Sequence, residues 1–530
     1  MSKRSLFQTG VLIRLSLRQL LGQLSGNFSR GGRYSALLAG LLFLMLAALS
    51  ALTSASLAFS VPDSARFLVV LSMTLTAFCL MLVFGFYHAQ GYLFDFRDFD
   101  LLFSMPLTQR QILVSKLVAL LGMMLLYSVI LIAPMTVVFG LVYSAGAELY
   151  LIATAGMLML PLVPLVIGTL IALGIRWLSA GRQHAVLWRN IVSLLMIMLL
   201  MIGMLMFSWT GKEGQDLSGM LVVTQRLFPT VSWLTRAMLH SDWLALGKLA
   251  GVSLVSLGGF LLLCPSLWAG LNQRSRRDWT QAAKQEAAAC RPLAHALFHK
   301  EVRRYFASTS LVTNTLVGPL MIVVFGIGLL VERRQLTLIA QMLPSAPSSA
   351  LIAALLTLAV SLFCITLMPM SATTISLEGR CFWIVRSLPL RAEELFRAKL
   401  RLNFLLNAPL AWLCTLVLAA IFRFPLFYLV VSLLLQAAAA MAAGLWGLII
   451  NLHFPRFDYD REVVVVKQSL SALISVLVGM GYSFLACAGV LSGIVPLPLA
   501  LLAVLAMTGI ADLLMMRYLH RHGEALLRRL

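Results

Sequence analysis

"SLEGRCFWIVRSLPLRAEELFRAKL", residues 376–400, is a dense run of charges set between two long apolar stretches. It has an echo upstream. "FDLLFSMPLTQRQILVSKL" at 99–117 aligns without a gap on "FWIVRSLPLRAEELFRAKL" at 382–400. Phe99, Ser104, Pro106, Leu107, Lys116 and Leu117 fall on Phe382, Ser387, Pro389, Leu390, Lys399 and Leu400, all at one offset of 283 residues. Such a spacing predicts two related halves in one chain.

The background to this repeat is very apolar. Of 530 residues, 60% are hydrophobic and 12% charged, and the mean hydropathy is +0.93. Soluble domains carry about 25% charged residues, so this composition predicts an all-α polytopic membrane protein. The formal charge is +21. It is spread over many short connections rather than gathered in one groove, which argues against nucleic acid as a partner. Seven cysteines lie mostly in apolar runs without CxxC spacing, so neither zinc nor a disulfide framework is expected. At the N-terminus, Arg14 and Arg18 interrupt any signal-peptide core. That stretch reads as an amphipathic helix lying on the bilayer.

A span needs about 20 apolar residues. The sequence offers twelve, near 35–60, 67–88, 117–143, 149–175, 190–209 and 244–270, then 311–331, 349–375, 402–422, 425–451, 468–492 and 496–516. Pro161 and Pro164 predict a kink in the fourth. Most Lys and Arg fall on one side if both termini are cytoplasmic, as the positive-inside rule requires. The expected plan is a first half-permease at 1–271, a linker with an amphipathic helix at 272–310, and a second half at 311–530. Six spans per half make them parallel repeats about an axis along the membrane normal.

In the first copy of the repeat, Pro106 disfavours helix just before it. Thr108 is then a candidate N-cap with Gln111 in capping-box position, and Leu107 with Ile112 has staple spacing. In the second copy Glu393 and Glu394 sit in the first helical turn, where they suit the helix dipole. Two equivalent capped elements suit a two-fold partner docking from the cytoplasm.

"ISLEGRCFWIVRSLPL" resembles the signature of bacterial type-2 ATP-binding-cassette exporter permeases. "NLHFPRFDYDREVVVVKQSLSALI" at 451–474 is similar to another marker of that group, through Asn451, Phe454, Pro455, Arg456, Asp458, Lys467 and Gln468 among others. The resemblance implies a permease subunit of an ATP-driven exporter in the bacterial inner membrane, in fused two-half form, moving an amphipathic or hydrophobic cargo. It further implies that ATP and Mg are held only by a cytoplasmic ATPase partner in two copies, and that membrane lipid surrounds the chain. The coupling residues so implied are Asp98, Asp100, Ser104, Pro106, Thr108 and Arg110 in the first half. In the second they are Glu378, Arg380, Arg386, Ser387, Pro389 and Glu393.

GxxxxGK[ST], the phosphate cradle of a P-loop, does not occur, so the chain itself is not expected to be an enzyme and ATP hydrolysis is expected in a partner subunit. Asp512 is the clearest acid within a span, a functional candidate by default. It is the feature on which a gradient-driven transporter would depend. A lipid-modifying enzyme would instead need Asp458 or Asp460. His295 and His299 share a helix face near Glu301, but a basic amphipathic helix accounts for them more simply than a metal. The stretch 209–243, with Phe228, Trp233 and Trp243, reads as interfacial helices that anchor or gate.

Overall fold

A computed structural model describes residues 7–16, 18, 32–60, 66–94, 99–179, 187–188, 190–198, 201, 224–272, 292–331, 333, 348–459, 462, 465–466, 469–491 and 495–530. Among these residues there are helices and turns and no strand. Ten helical stretches are long and apolar enough to cross a membrane. The protein is therefore an all-helical, multi-pass membrane protein. The expected first span is represented by a shorter apolar helix, Phe43–Phe59. Much of the expected fifth, at 190–209, lies outside the described residues.

The chain divides into two compact units, Met1–Ala185 with Ile202–Glu286, and Val186–Met201 with Ala287–Leu530. In the first unit the helices are α1 (Gly32–Ser60), α2 (Phe67–Ala89), α3 (Phe99–Ser104), α4 (Gln109–Val142), α5 (Ala147–Met159), α6 (Leu162–Ser179), α7 (Pro229–His240) and α8 (Trp243–Leu263). The predicted kink is the break between α5 and α6, at Leu160 and Pro161, where proline cannot donate to the helical ladder. Here α2 packs closely on α6: a Cβ on Gly168 would stand 2.6 Å from the Phe86 backbone nitrogen. Only glycine permits that approach.

The second unit holds α9 (Leu293–Ala307), α10 (Thr309–Val331), α11 (Ser349–Leu367), α12 (Ser371–Thr374), a 3-10 turn (Ser376–Cys381), α13 (Phe382–Ser387), α14 (Ala392–Phe422), α15 (Leu426–His453), α16 (Leu470–Leu491) and α17 (Leu497–Arg529). Its core is Ile322 of α10, Leu358 and Leu362 of α11, Ala408 and Ala411 of α14 and Leu435, Ala439 and Ala440 of α15, all buried. Small residues let α15 approach its neighbours closely, as helices in lipid do when packing alone must join them.

The repeat recurs as local structure in both units. A short helix, α3 or α13, ends at a serine, turns through the proline, and a long helix, α4 or α14, begins five residues later. Thr108 caps α4 as expected: its amide donates to Gln111 Oε1 at 2.8 Å, and the Gln111 amide donates to Thr108 Oγ1 at 3.4 Å. At α14 only the reciprocal half is chemically available, since arginine has no acceptor. There the Arg391 amide donates to Glu394 Oε2 at 3.3 Å.

Candidate functional site

The two stretches that stood out separately in the sequence fold onto each other. Asn451, at the end of α15, is fully buried. Its Oδ1 accepts from the amides of Ile375 (2.8 Å) and Ser376 (3.1 Å), and its Nδ2 donates to Ser376 Oγ and Ser471 Oγ. Ser376 Oγ also accepts from the Arg456 amide at 2.9 Å, while Tyr459 Oη donates to the Leu377 carbonyl at 2.8 Å. Phe457 stacks on Phe382. The chain between α12 and α13 cannot form a regular helix, because Gly379 adopts φ 57° and ψ −143°. That conformation is essentially restricted to glycine. Any Cβ there would also stand 3.0 Å from Tyr459 Oη. Asn451 thus supplies the acceptors for a turn whose own ladder is broken.

This turn delivers Glu378 into a buried ionic joint. Lys399 of α14 is 0% exposed, Glu301 of α9 is 1% and Glu378 is 9%. Lys399 Nζ lies 2.9 Å from Glu301 Oε1 and 3.3 Å from Glu378 Oε1. Lys300 Nζ reaches Glu378 at 2.9 Å and Glu301 at 3.6 Å, and Arg304 pairs with the other Glu378 oxygen. Three cations face two carboxylates. The charges survive burial because each carboxylate faces more than one cation and accepts at least one charged hydrogen bond. On α9, Leu297, Glu301 and Tyr305 form the buried face, at the four-residue spacing of one helix side. Tyr305 Oη meets Thr315 Oγ1 at 2.6 Å. Burial pushes its phenol above the usual range, so it stays neutral.

From the joint, a line of polar residues runs along α14. Lys399, Asn403, Asn407 and Thr415 are all buried, the first three following one another at the four-residue spacing of adjacent helical turns. Asn403 accepts from the Met370 amide at 3.0 Å and donates to the Ala440 carbonyl at 3.1 Å. Further along, Gln436 donates to Thr415 at 2.8 Å. The joint is therefore tied into the membrane helices by side-chain bonds as well as packing. In the first unit, Lys116 is the register counterpart of Lys399. It too is buried, at 2% exposure, 5.4 Å from the centre of the Tyr92 ring.

The candidate residues divide. Glu378 is in the joint. Arg380 pairs with Asp458 at 2.9 Å on the surface. Arg386 donates to the Arg528 carbonyl at 3.2 Å, and Glu393 pairs with His520 and Arg397. Pro389 lies in the turn before α14, and Ser387 bonds back to the Ile384 carbonyl. Pro106 and Thr108 occupy the matching turn before α4, with Arg110 exposed in its first turn. Ser104 ends α3, and Asp100 lies within it. Asp98, Asp460, Lys467 and Gln468 lie outside the described residues. Phe454 and Pro455 lead from α15 into the loop on the 3-10 turn. Asp512 is buried on α17 and is not a member of the joint, and its Oδ1 has no hydrogen-bond partner. Sequence reasoning did not find Glu301 and Lys399 as a pair. The available signal was a lysine repeated inside an apolar helix.

Comparison with curated proteins and with solved structures yields no match. A family model described as "Putative ATP-binding cassette" matches residues 36–467. That match overturns four expectations: membership of an exporter-permease family, the role of a cargo-moving permease subunit, the view that the chain is no enzyme, and the placing of ATP and Mg only in a partner. Two short marker stretches and one absent motif cover a small part of the chain, whereas the family match extends over residues 36–467. The side chains of the joint do not fit a nucleotide. Its carboxylates are already held by Lys399, Lys300 and Arg304, and no group of three His, Cys, Asp or Glu able to hold a metal exists among the described residues. Because the matched region is well over half its length, the chain belongs to the ATP-binding cassette family so described.

Proposed function

We propose that this protein is a membrane-embedded ATP-binding-cassette protein whose second unit transmits displacement through a charge-locked joint. The observation that carries this reading is that Glu378, Glu301 and Lys399 come from three separate elements and that the one buried Lys399 ammonium binds both carboxylates. Breaking a buried ion pair by losing one partner costs about 3–5 kcal/mol. A push on the segment 376–387 is therefore carried into α9 and α14 as one body, and α14 passes it along Asn403, Asn407 and Thr415 to α15. This is the behaviour of a rigid lever rather than a flexible connection.

The arrangement proposed around that lever is two half-units at 1–271 and 311–530 joined by 272–310, with twelve spans in parallel repeats. The repeated segment on α3–α4 and on α13–α14 supports it. Membrane lipid and a cytoplasmic ATP-binding-cassette subunit in two copies are the proposed partners, in the bacterial inner membrane with both termini cytoplasmic. Pro106, Thr108 and Arg110, with Arg380, Arg386, Ser387, Pro389 and Glu393, are the residues proposed to meet that subunit.

The test is a distance measurement on the complex purified in mild detergent. One spin label is placed on Cys381, which is exposed, and the other on Arg423→Cys at the far end of α14, with the remaining cysteines replaced. Mg-ATP is expected to leave this distance unchanged in the parent protein and in Lys399→Arg, where the two ends move as one body, and to change it in Lys399→Met. An ATP-dependent change in the parent, or none in Lys399→Met, rejects the lever.

A further inference from the structure

The first unit contains a cavity of about 670 Å³ where α2 begins and α7 ends. Arg66, Arg236 and His240 stand at its rim, and Phe67, Leu71 and Leu239 line it below. The cavity is built rather than incidental. α7 is pinned to α2 by Thr74 Oγ1 against Thr235 Oγ1 at 3.2 Å, and Phe78 meets Phe228 edge to face. Ser241 then turns the chain in the left-handed region, φ 51°, and Asp242 caps α8 by accepting from the amides of Leu244 and Ala245. Asp242 is therefore committed to the helix it starts.

Two features define what the cavity would hold. Neither guanidinium has an acidic partner among the described residues, although an arginine pair in one pocket strongly favours an anion. The N-terminus of α2 adds its own positive potential at Arg66. The position is also that of a membrane surface. The apolar stretches of α2 and α8 begin here, at Phe67 and Trp243, and Trp243 is exposed. Tryptophan at the start of a span marks the headgroup level. Phe67, Leu71 and Leu239 offer an apolar wall that a free phosphate ion would not use.

We propose that this cavity binds the phosphate headgroup of an anionic phospholipid, with Arg66 and Arg236 as its ligands and the first acyl carbons against Phe67 and Leu71. The site is independent of the joint in the second unit. Phosphatidylcholine carries the same phosphate, but its choline cation would stand against Arg66 and Arg236, and this repulsion supports a preference of about tenfold for the anionic lipid.

Native mass spectrometry of the full chain tests it, with released lipid counted after exchange into phosphatidylglycerol or phosphatidylcholine. The parent protein is expected to retain one phosphatidylglycerol about tenfold more strongly than phosphatidylcholine. Arg66→Gln with Arg236→Gln is expected to abolish that preference while the thermal midpoint in phosphatidylcholine is unchanged. If the double variant proves unstable, the two single variants carry the test, each expected to lose part of the preference. Unchanged preference in the variants overturns the proposal. Displacement of the lipid by excess inorganic phosphate overturns it too, in favour of a free-anion site.

Discussion

Lys399→Met is the most informative single perturbation of the joint. The side chain is completely buried, and methionine matches its length without its charge. Glu378 keeps Lys300 and Arg304 in the variant, but Glu301 loses its 2.9 Å partner and retains only Lys300 at 3.6 Å. The loss therefore falls on Glu301, and one orphaned buried charge costs about 3–5 kcal/mol. At about 1.4 kcal/mol for each factor of ten, that is a shift of roughly two to four orders of magnitude in the folding equilibrium. Glu301→Gln alone leaves Lys399 with Glu378 at 3.3 Å, so its cost is smaller, about 2–3 kcal/mol. In the double variant neither ion remains. Its stability is expected to exceed the sum of the single effects by at least about 2 kcal/mol, as for residues in one network. The assay is unfolding in mixed micelles by increasing dodecyl sulfate, followed by both far-ultraviolet circular dichroism and tryptophan fluorescence. Additive single effects, or a loss below about 1 kcal/mol for Lys399→Met, refute the reasoning.

Two further expectations concern the turn that presents Glu378. Asn451→Ala leaves the amides of Ile375 and Ser376 buried without their acceptor. At about 1–3 kcal/mol for each unsatisfied group, the thermal midpoint should fall clearly, and an unchanged midpoint would show that the turn is held by other means. Gly379→Ala forces a side chain into φ 57° and against Tyr459, at about 1–3 kcal/mol. Maleimide labelling of the neighbouring Cys381 should become faster as the turn loosens, and an unaltered rate would count against the strain.

Much of the architecture was legible because it depends on local chemistry. Mean composition alone dictates membrane helices, since so apolar a chain cannot be covered by a soluble surface. Pro161 breaks the helix between α5 and α6 because the missing N–H acts within one turn. Thr108 and Gln111 cap α4 through atoms three residues apart, and the Ser-x-Pro-Leu repeat forms the same short helix, turn and long helix in both copies. Even the buried lysines were visible as identities of the repeat.

The chemistry of the site was decided by tertiary structure. Glu301 and Lys399 are 98 residues apart, and Asn451 lies 76 residues from the amide it holds. No periodicity relates such positions. Glu301 read as one charge of a basic amphipathic helix, and only the packing of α9 against α14 turns it inward, at the same depth as Lys399 and Glu378. Likewise, Arg66 and Arg236 meet in one cavity only because α7 folds back on α2. Hydrophobic and capping patterns act over a few residues and survive in a linear reading. Charge complementarity acts through space, so it belongs to the sequence only after the helices have chosen which faces meet.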